Sequence, residues 1–143
     1  MVTALAPRFL GQGQIEFVER AVPEPRPGQL LLRVRANAIC GSDRTQYFNG
    51  SEVVPGHKAV GTVVAAGADT SVRVGTTGAV YLMDFCAKCR SCVLGQINQC
   101  LAKRADMGFT QDGGFGLFAL VDDYSTFQRK IREAIATTRL AGR

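Results

Sequence analysis

The sequence predicts a mainly β domain with short helices, and three stretches carry that reading. In GQLLLRVRANA (28–38), Leu30, Leu32, Val34, Ala36 and Ala38 alternate with Leu31, Arg33, Arg35 and Asn37, the period-two pattern of a half-buried strand. In PGHKAVGTVVAAG (55–67), a Pro-Gly turn leads into a short apolar run that reads as another strand. DFCAKCRSCVLGQINQC (84–100) gathers four of the five cysteines into one loop.

The 143 residues suffice for one hydrophobic core, and 46% hydrophobic with 20% charged residues is the composition of a globular domain. No apolar run is long enough for a bilayer span, and the N-terminus lacks the pattern of a secretion signal, so the expectation is a cytoplasmic protein without a membrane partner. The formal charge of +5 comes from scattered basic residues, concentrated only in 128–143, which argues against a nucleic-acid partner. Holding zinc with four thiolates would bring it to about +3.

Taken in order, the strand over 28–38 delivers Cys40 at its end. Gly41 permits a sharp turn, and Ser42 or Asp43 can cap a short helix over Arg44–Phe48. His57, the sole histidine, stands at the mouth of the next strand. On their own, a single histidine and a single cysteine read as ordinary structural residues.

Cys86, Cys89, Cys92 and Cys100 follow C-x2-C-x2-C-x7-C, three thiols on one tight turn and a fourth returning, with Gly95 easing the return. Soft thiolates and a closed four-sulfur shell suit a structural zinc. Disulfides are rare in the cytosol, free thiols usually occur singly in cores, and the common ferredoxin spacings differ from this one. Ile131, Ala134, Ile135 and Thr138 give the tail a helical pattern whose other face is basic, with Gly142 placed to end it.

The conjunction of CGSD at 40–43, GH at 56–57 with its glycine-punctuated strand, and the cysteine loop resembles the zinc-dependent medium-chain alcohol dehydrogenases, in particular their polyol, threonine and secondary-alcohol branches. The resemblance runs to GGFGLFALV (113–121) and implies a GroES-like, partly open β-barrel over residues 1–127 with a zinc lobe at 84–101. It implies that Cys40 and His57 hold a catalytic zinc, that Ser42 relays the alcohol's proton, and that Asp43 orients the histidine. The implied reaction is reversible oxidation of a small alcohol or polyol with NAD(P).

Two departures qualify the likeness. Lys58 stands where the family usually has glutamate; strand alternation would turn it away from His57. No dinucleotide fingerprint is found: GQGQIE lacks the third glycine, GGFG belongs to the catalytic domain, and GSEVVPGHK has the wrong spacing. A third catalytic ligand is missing too, and Glu133 in the altered tail is not assigned as one. The expectation is therefore a truncated catalytic domain, inactive alone, with 128–143 as a basic helical tail where a cofactor domain would join. NAD(P) would bind only if that domain is supplied elsewhere. Uncovered strand edges suggest a homo- or hetero-oligomer. The rival reading is a non-catalytic zinc-stabilised binding or assembly module.

Overall fold

The computed structural model describes residues 2–123 and the backbone of 127–128. Strands β1 (Thr3–Gly11) and β2 (Gln14–Ala21) form an antiparallel hairpin. Its turn uses the left-handed region three times running, at Gly11 (φ +90°), Gln12 (+54°) and Gly13 (+78°), which explains the two glycines of GQGQIE. The tip also terminates a helix: Gln12 N–H donates to the Phe48 carbonyl (2.8 Å) and Gly13 N–H to that of Tyr47 (3.1 Å). GQGQIE is thus a hairpin turn and not a phosphate loop, and the strand-like runs on either side of Gly-X-Gly are its signal in the sequence.

The main sheet is antiparallel and five-stranded, in the order β8 (Phe118–Asp122), β3 (Gln29–Asn37), β4 (Ala59–Ala66), β5 (Thr77–Val80), β9 (Phe127–Gln128). Leu30 and Leu32 point into a core with Val63, Met107, Ala119 and Val121, while Arg33 and Arg35 face solvent, as the alternation requires. Leu31 is buried as well, beside a bulge between Leu31 and Leu32, so the start of β3 is covered on both faces.

The pairing of β3 with β4 positions the chemistry. Asn37 lies opposite Ala59, and Ala38 N–H donates to the Lys58 carbonyl at 3.1 Å, so the end of one strand and the start of the next bring Cys40 and His57 to one place. Between them runs α1 (Asp43–Asn49). The short pair β6 (Met83–Asp84) and β7 (Ala105–Asp106) closes the stem of the cysteine loop, which holds α2 (Arg90–Val93) and one 3-10 turn (Ile97–Gln99). Arg104 Nε clamps both Asp84 carboxylate oxygens at 3.0 Å across that stem.

Among the described residues no helix is long and apolar enough to cross a membrane. The helix expected in the tail lies outside the described residues.

Candidate metal centres

The loop between β6 and β7 draws its four sulfurs together. Ala87 (φ +60°) and Gly95 (φ +78°) turn the chain back at either side of α2, and the ligand atoms of Cys86, Cys89, Cys92 and Cys100 all lie within 4.8 Å of one another. Cys89 Sγ is 3.5 Å from Cys92 Sγ and 4.0 Å from Cys100 Sγ; Cys86 Sγ is 4.0 Å from Cys92 Sγ. A disulfide bond is about 2.05 Å, so none is formed. Metal–sulfur bonds of about 2.3 Å in a regular tetrahedron place sulfurs about 3.8 Å apart, which is the spacing found.

Backbone amides prepare these sulfurs for negative charge. Cys86 N–H donates to Cys100 Sγ and Cys89 N–H to Cys86 Sγ, both at 3.3 Å, and Leu101 N–H reaches Cys89 Sγ at 3.5 Å. The amides of Lys88 and Cys89 lower the Cys86 thiol, and those of Cys92 and Leu101 bring Cys89 down to about 6. Burial, reinforced by the neighbouring thiols, pushes Cys92 up to about 12. Four sulfurs this close cannot all ionise without a cation among them, and a divalent metal fits both the geometry and the charge.

A second cluster forms where β3 meets β4. Asp43 and His57 are the buried polar residues of the described structure. His57 Nδ1 and Asp43 Oδ1 face each other across 3.2 Å, and neither atom has another polar partner among the described residues. The other ring nitrogen, Nε2, faces outward to Ser42 Oγ at 3.4 Å. Asp43 Oδ2 accepts the Cys40 N–H at 2.8 Å, tying the carboxylate to both the cysteine and the histidine. Ser42 stands at the N-cap position of α1 but makes no capping hydrogen bond; its hydroxyl lies 3.4 Å from His57 Nε2 instead, which corrects the capping expectation. The nearby Ser42, through its side chain and its backbone amide, and then His57 lower the Cys40 thiol to about 6.

Lys58 is exposed beside the buried His57 and immediately precedes β4, its carbonyl accepting the Ala38 N–H at 3.1 Å. Three further contributors escaped sequence reasoning. The Phe109 ring lies against the imidazole, centroids 4.9 Å apart. Gln46 Nε2 donates to the Gly108 carbonyl at 2.7 Å. Glycines hold the His57 segment from behind: Gly114 N–H donates to the Gly56 carbonyl at 2.8 Å, and a Cβ on Gly113 would sit 2.2 Å from that same oxygen. The run MGFTQDGGF was the only available signal, and its glycines meet Gly56 through a contact distant in sequence.

Cys40 and His57 offer thiolate and imidazole, a donor pair suited to zinc. Among the described residues the four-cysteine set is the one group of three or more such donors. On the Cys40 side the second cluster adjoins an apolar cleft of about 700 Å³ lined in part by Phe9, Phe17, Ile39, Tyr47 and Phe48.

The sequence and fold resemble those of known proteins. The family model for the alcohol dehydrogenase GroES-like domain matches residues 26–130. The starvation-sensing protein RspB of Escherichia coli is 36% identical over 129 residues, covering 86% of this chain and 37% of that protein. The L-threonine 3-dehydrogenase of Pyrococcus horikoshii is 32% identical over 149 residues, covering 89% and 42%. A cobalt- and zinc-bound thermostable alcohol dehydrogenase from Pyrobaculum aerophilum superposes with a TM-score of 0.80 at 26% identity, covering 88% of this chain and 41% of that one. The chain thus spans about two fifths of the length of the relatives it matches.

Proposed function

Since the chain belongs to the alcohol dehydrogenase GroES-like domain family, we propose that it is the alcohol-binding, zinc-carrying part of an oxidoreductase acting on a secondary alcohol or polyol, with NAD(P) as hydride acceptor. The chain is an alcohol or polyol dehydrogenase-like domain of mainly β, GroES-like fold. Within it, we assign a structural zinc to Cys86, Cys89, Cys92 and Cys100, and the reacting end of the alcohol to Cys40, Ser42 and His57.

The observation that carries the reading is the convergence of Cys40, Ser42 and His57 in front of a buried Asp43. Cys40 and His57 would hold a zinc ion, whose Lewis acidity would favour loss of the alcohol's proton. Asp43 fixes the ring so that Nδ1 points inward and Nε2 outward, and strengthens the imidazole as a donor. Ser42 is exposed, so its hydroxyl can pass a proton between the site and solvent. Phe109 covers one side of the imidazole and limits the approach of water there.

The test is nuclear magnetic resonance on the labelled, zinc-supplied chain, titrated with isopropanol and glycerol. Shifts concentrated at Ser42 and His57, and lost in Ser42→Ala, are expected. Saturating alcohol that leaves these resonances unmoved would contradict the assignment.

A further inference from the structure

The apolar cleft of about 700 Å³ beside Cys40 is built by the β1–β2 hairpin and α1 together. In the hairpin Pro7 pairs with Phe17 and Phe9 with Ile15, which sets four apolar side chains along one face of the cleft. The tip amides of Gln12 and Gly13 fasten that face to α1 through the Phe48 and Tyr47 carbonyls. Phe9 is buried at the base, edge-on to Tyr47 at 6.0 Å and stacked on Phe115 at 6.1 Å between centroids. Phe17, Ile39 and Phe48 remain exposed around it. We propose that this cleft takes the non-reacting body of the alcohol, so that the substrate class is a secondary alcohol carrying an aryl or alkyl group and not a polyol. This rests on the reading of Cys40, Ser42 and His57 as the place of the alcohol's reacting end.

The polar side chains that line the cleft are directed elsewhere. Asp43 faces His57 with one carboxylate oxygen and accepts the Cys40 N–H with the other. The Arg44 guanidinium lies over the Phe48 ring, 5.2 Å from its centroid. The Tyr47 hydroxyl lies at the hairpin tip, where a Cβ on Gly13 would meet it at 3.3 Å. A polyol laid along these rings would give up water at each hydroxyl without a partner in return, and such unpaired groups are costly. A phenyl or alkyl group gives up no hydrogen bond, takes the exposed faces of Phe17, Ile39 and Phe48 out of water, and meets rings with edges and faces to pack against. The volume lies within the roughly 300–1,000 Å³ of small-molecule sites. Because Cys40 itself lines the cleft, one molecule can place its hydroxyl at the cluster and its apolar body against the hairpin.

The experiment titrates the labelled, zinc-supplied chain with 1-phenylethanol, isopropanol and glycerol, read by nuclear magnetic resonance at Ser42 and His57 and at Ile39 and Phe48. Even one methylene in a hydrophobic pocket can discriminate by roughly 10–200-fold, so 1-phenylethanol should bind at least about tenfold more tightly than isopropanol, and glycerol no more tightly than isopropanol. 1-Phenylethanol should move both pairs of resonances together. Phe17 and Ile39 are 69% and 84% exposed, so a polar side chain at either leaves the fold intact. Phe17→Ser and Ile39→Ser should each cut the preference for 1-phenylethanol over isopropanol by about tenfold. Equal affinity for the two alcohols, with isopropanol still moving Ser42 and His57, would overturn the cleft assignment and leave the alcohol site standing. Shifts at Ile39 and Phe48 without any at Ser42 and His57 would overturn it too, as would shifts at Phe17 and Ile39 that grow with chain concentration in the absence of alcohol, which would make a second copy the occupant. Ser42 and His57 resonances unmoved by all three alcohols would overturn the alcohol site and this inference with it.

Discussion

The buried pair Asp43 and His57 concentrates the energetic risk of this domain in two side chains. Each is the other's partner, at 3.2 Å, in a setting where an unsatisfied polar atom costs about 1–3 kcal/mol. Asp43→Ala also removes the acceptor of the Cys40 N–H. The expected outcome is a loss of roughly 1–3 kcal/mol in urea denaturation; an unchanged midpoint would mean that the pair carries no strain when broken. Cys40 supplies a pH-dependent signature. Its thiol is lowered to about 6, chiefly by Ser42, so the thiolate is populated above that pH and depleted below it. In protein carrying zinc only at the four-cysteine site, alkylation of Cys40 by iodoacetamide should rise through a midpoint near pH 6, and Ser42→Ala should move that midpoint upward. A midpoint already at the ordinary thiol value in wild type would contradict the hydrogen-bonded arrangement. These residues were legible in sequence as CGSD and GH, but their mutual orientation was not, because it depends on β3 pairing with β4 in one register.

The elements show where such legibility ends. The strand of residues 28–38 and the cysteine loop announce themselves through period and spacing, whereas the hairpin turn at 11–13 and the glycine stack behind His57 depend on what lies across the fold. Gly113 tests the stack. A Cβ there would meet the Gly56 carbonyl oxygen at 2.2 Å and the Pro55 carbonyl oxygen at 2.7 Å, and both are backbone atoms that cannot swing aside. Gly113→Ala is expected to destabilise the chain by about 1–3 kcal/mol, the usual cost of overpacking, and to displace the His57 resonances; thermal melting and one spectrum check both. The cysteine lobe hangs on the two-residue ladders of β6 and β7 and the Arg104–Asp84 clamp. Chelation of its metal should therefore accelerate amide exchange across 86–102 while β3, β4 and β8 stay protected, since the main core lies elsewhere. Exchange that rises uniformly through the sheet would show that the lobe and the core unfold as one unit.

For the whole molecule, hydride transfer needs an acceptor held against the alcohol carbon, and such positioning lowers a barrier by roughly 7–11 kcal/mol. The described residues contain a five-stranded antiparallel sheet and two small two-stranded ones, with none of the parallel strand-helix units that bind a dinucleotide. The central claim is narrower and more exposed: four cysteines of one loop hold zinc in a dehydrogenase-type domain. It is tested by metal analysis of the dialysed chain together with X-ray absorption at the zinc edge. The account predicts close to one zinc per chain, bound by four sulfurs at about 2.3 Å. A folded, zinc-free chain with free thiols, or one with a Cys86–Cys89 disulfide, would contradict it.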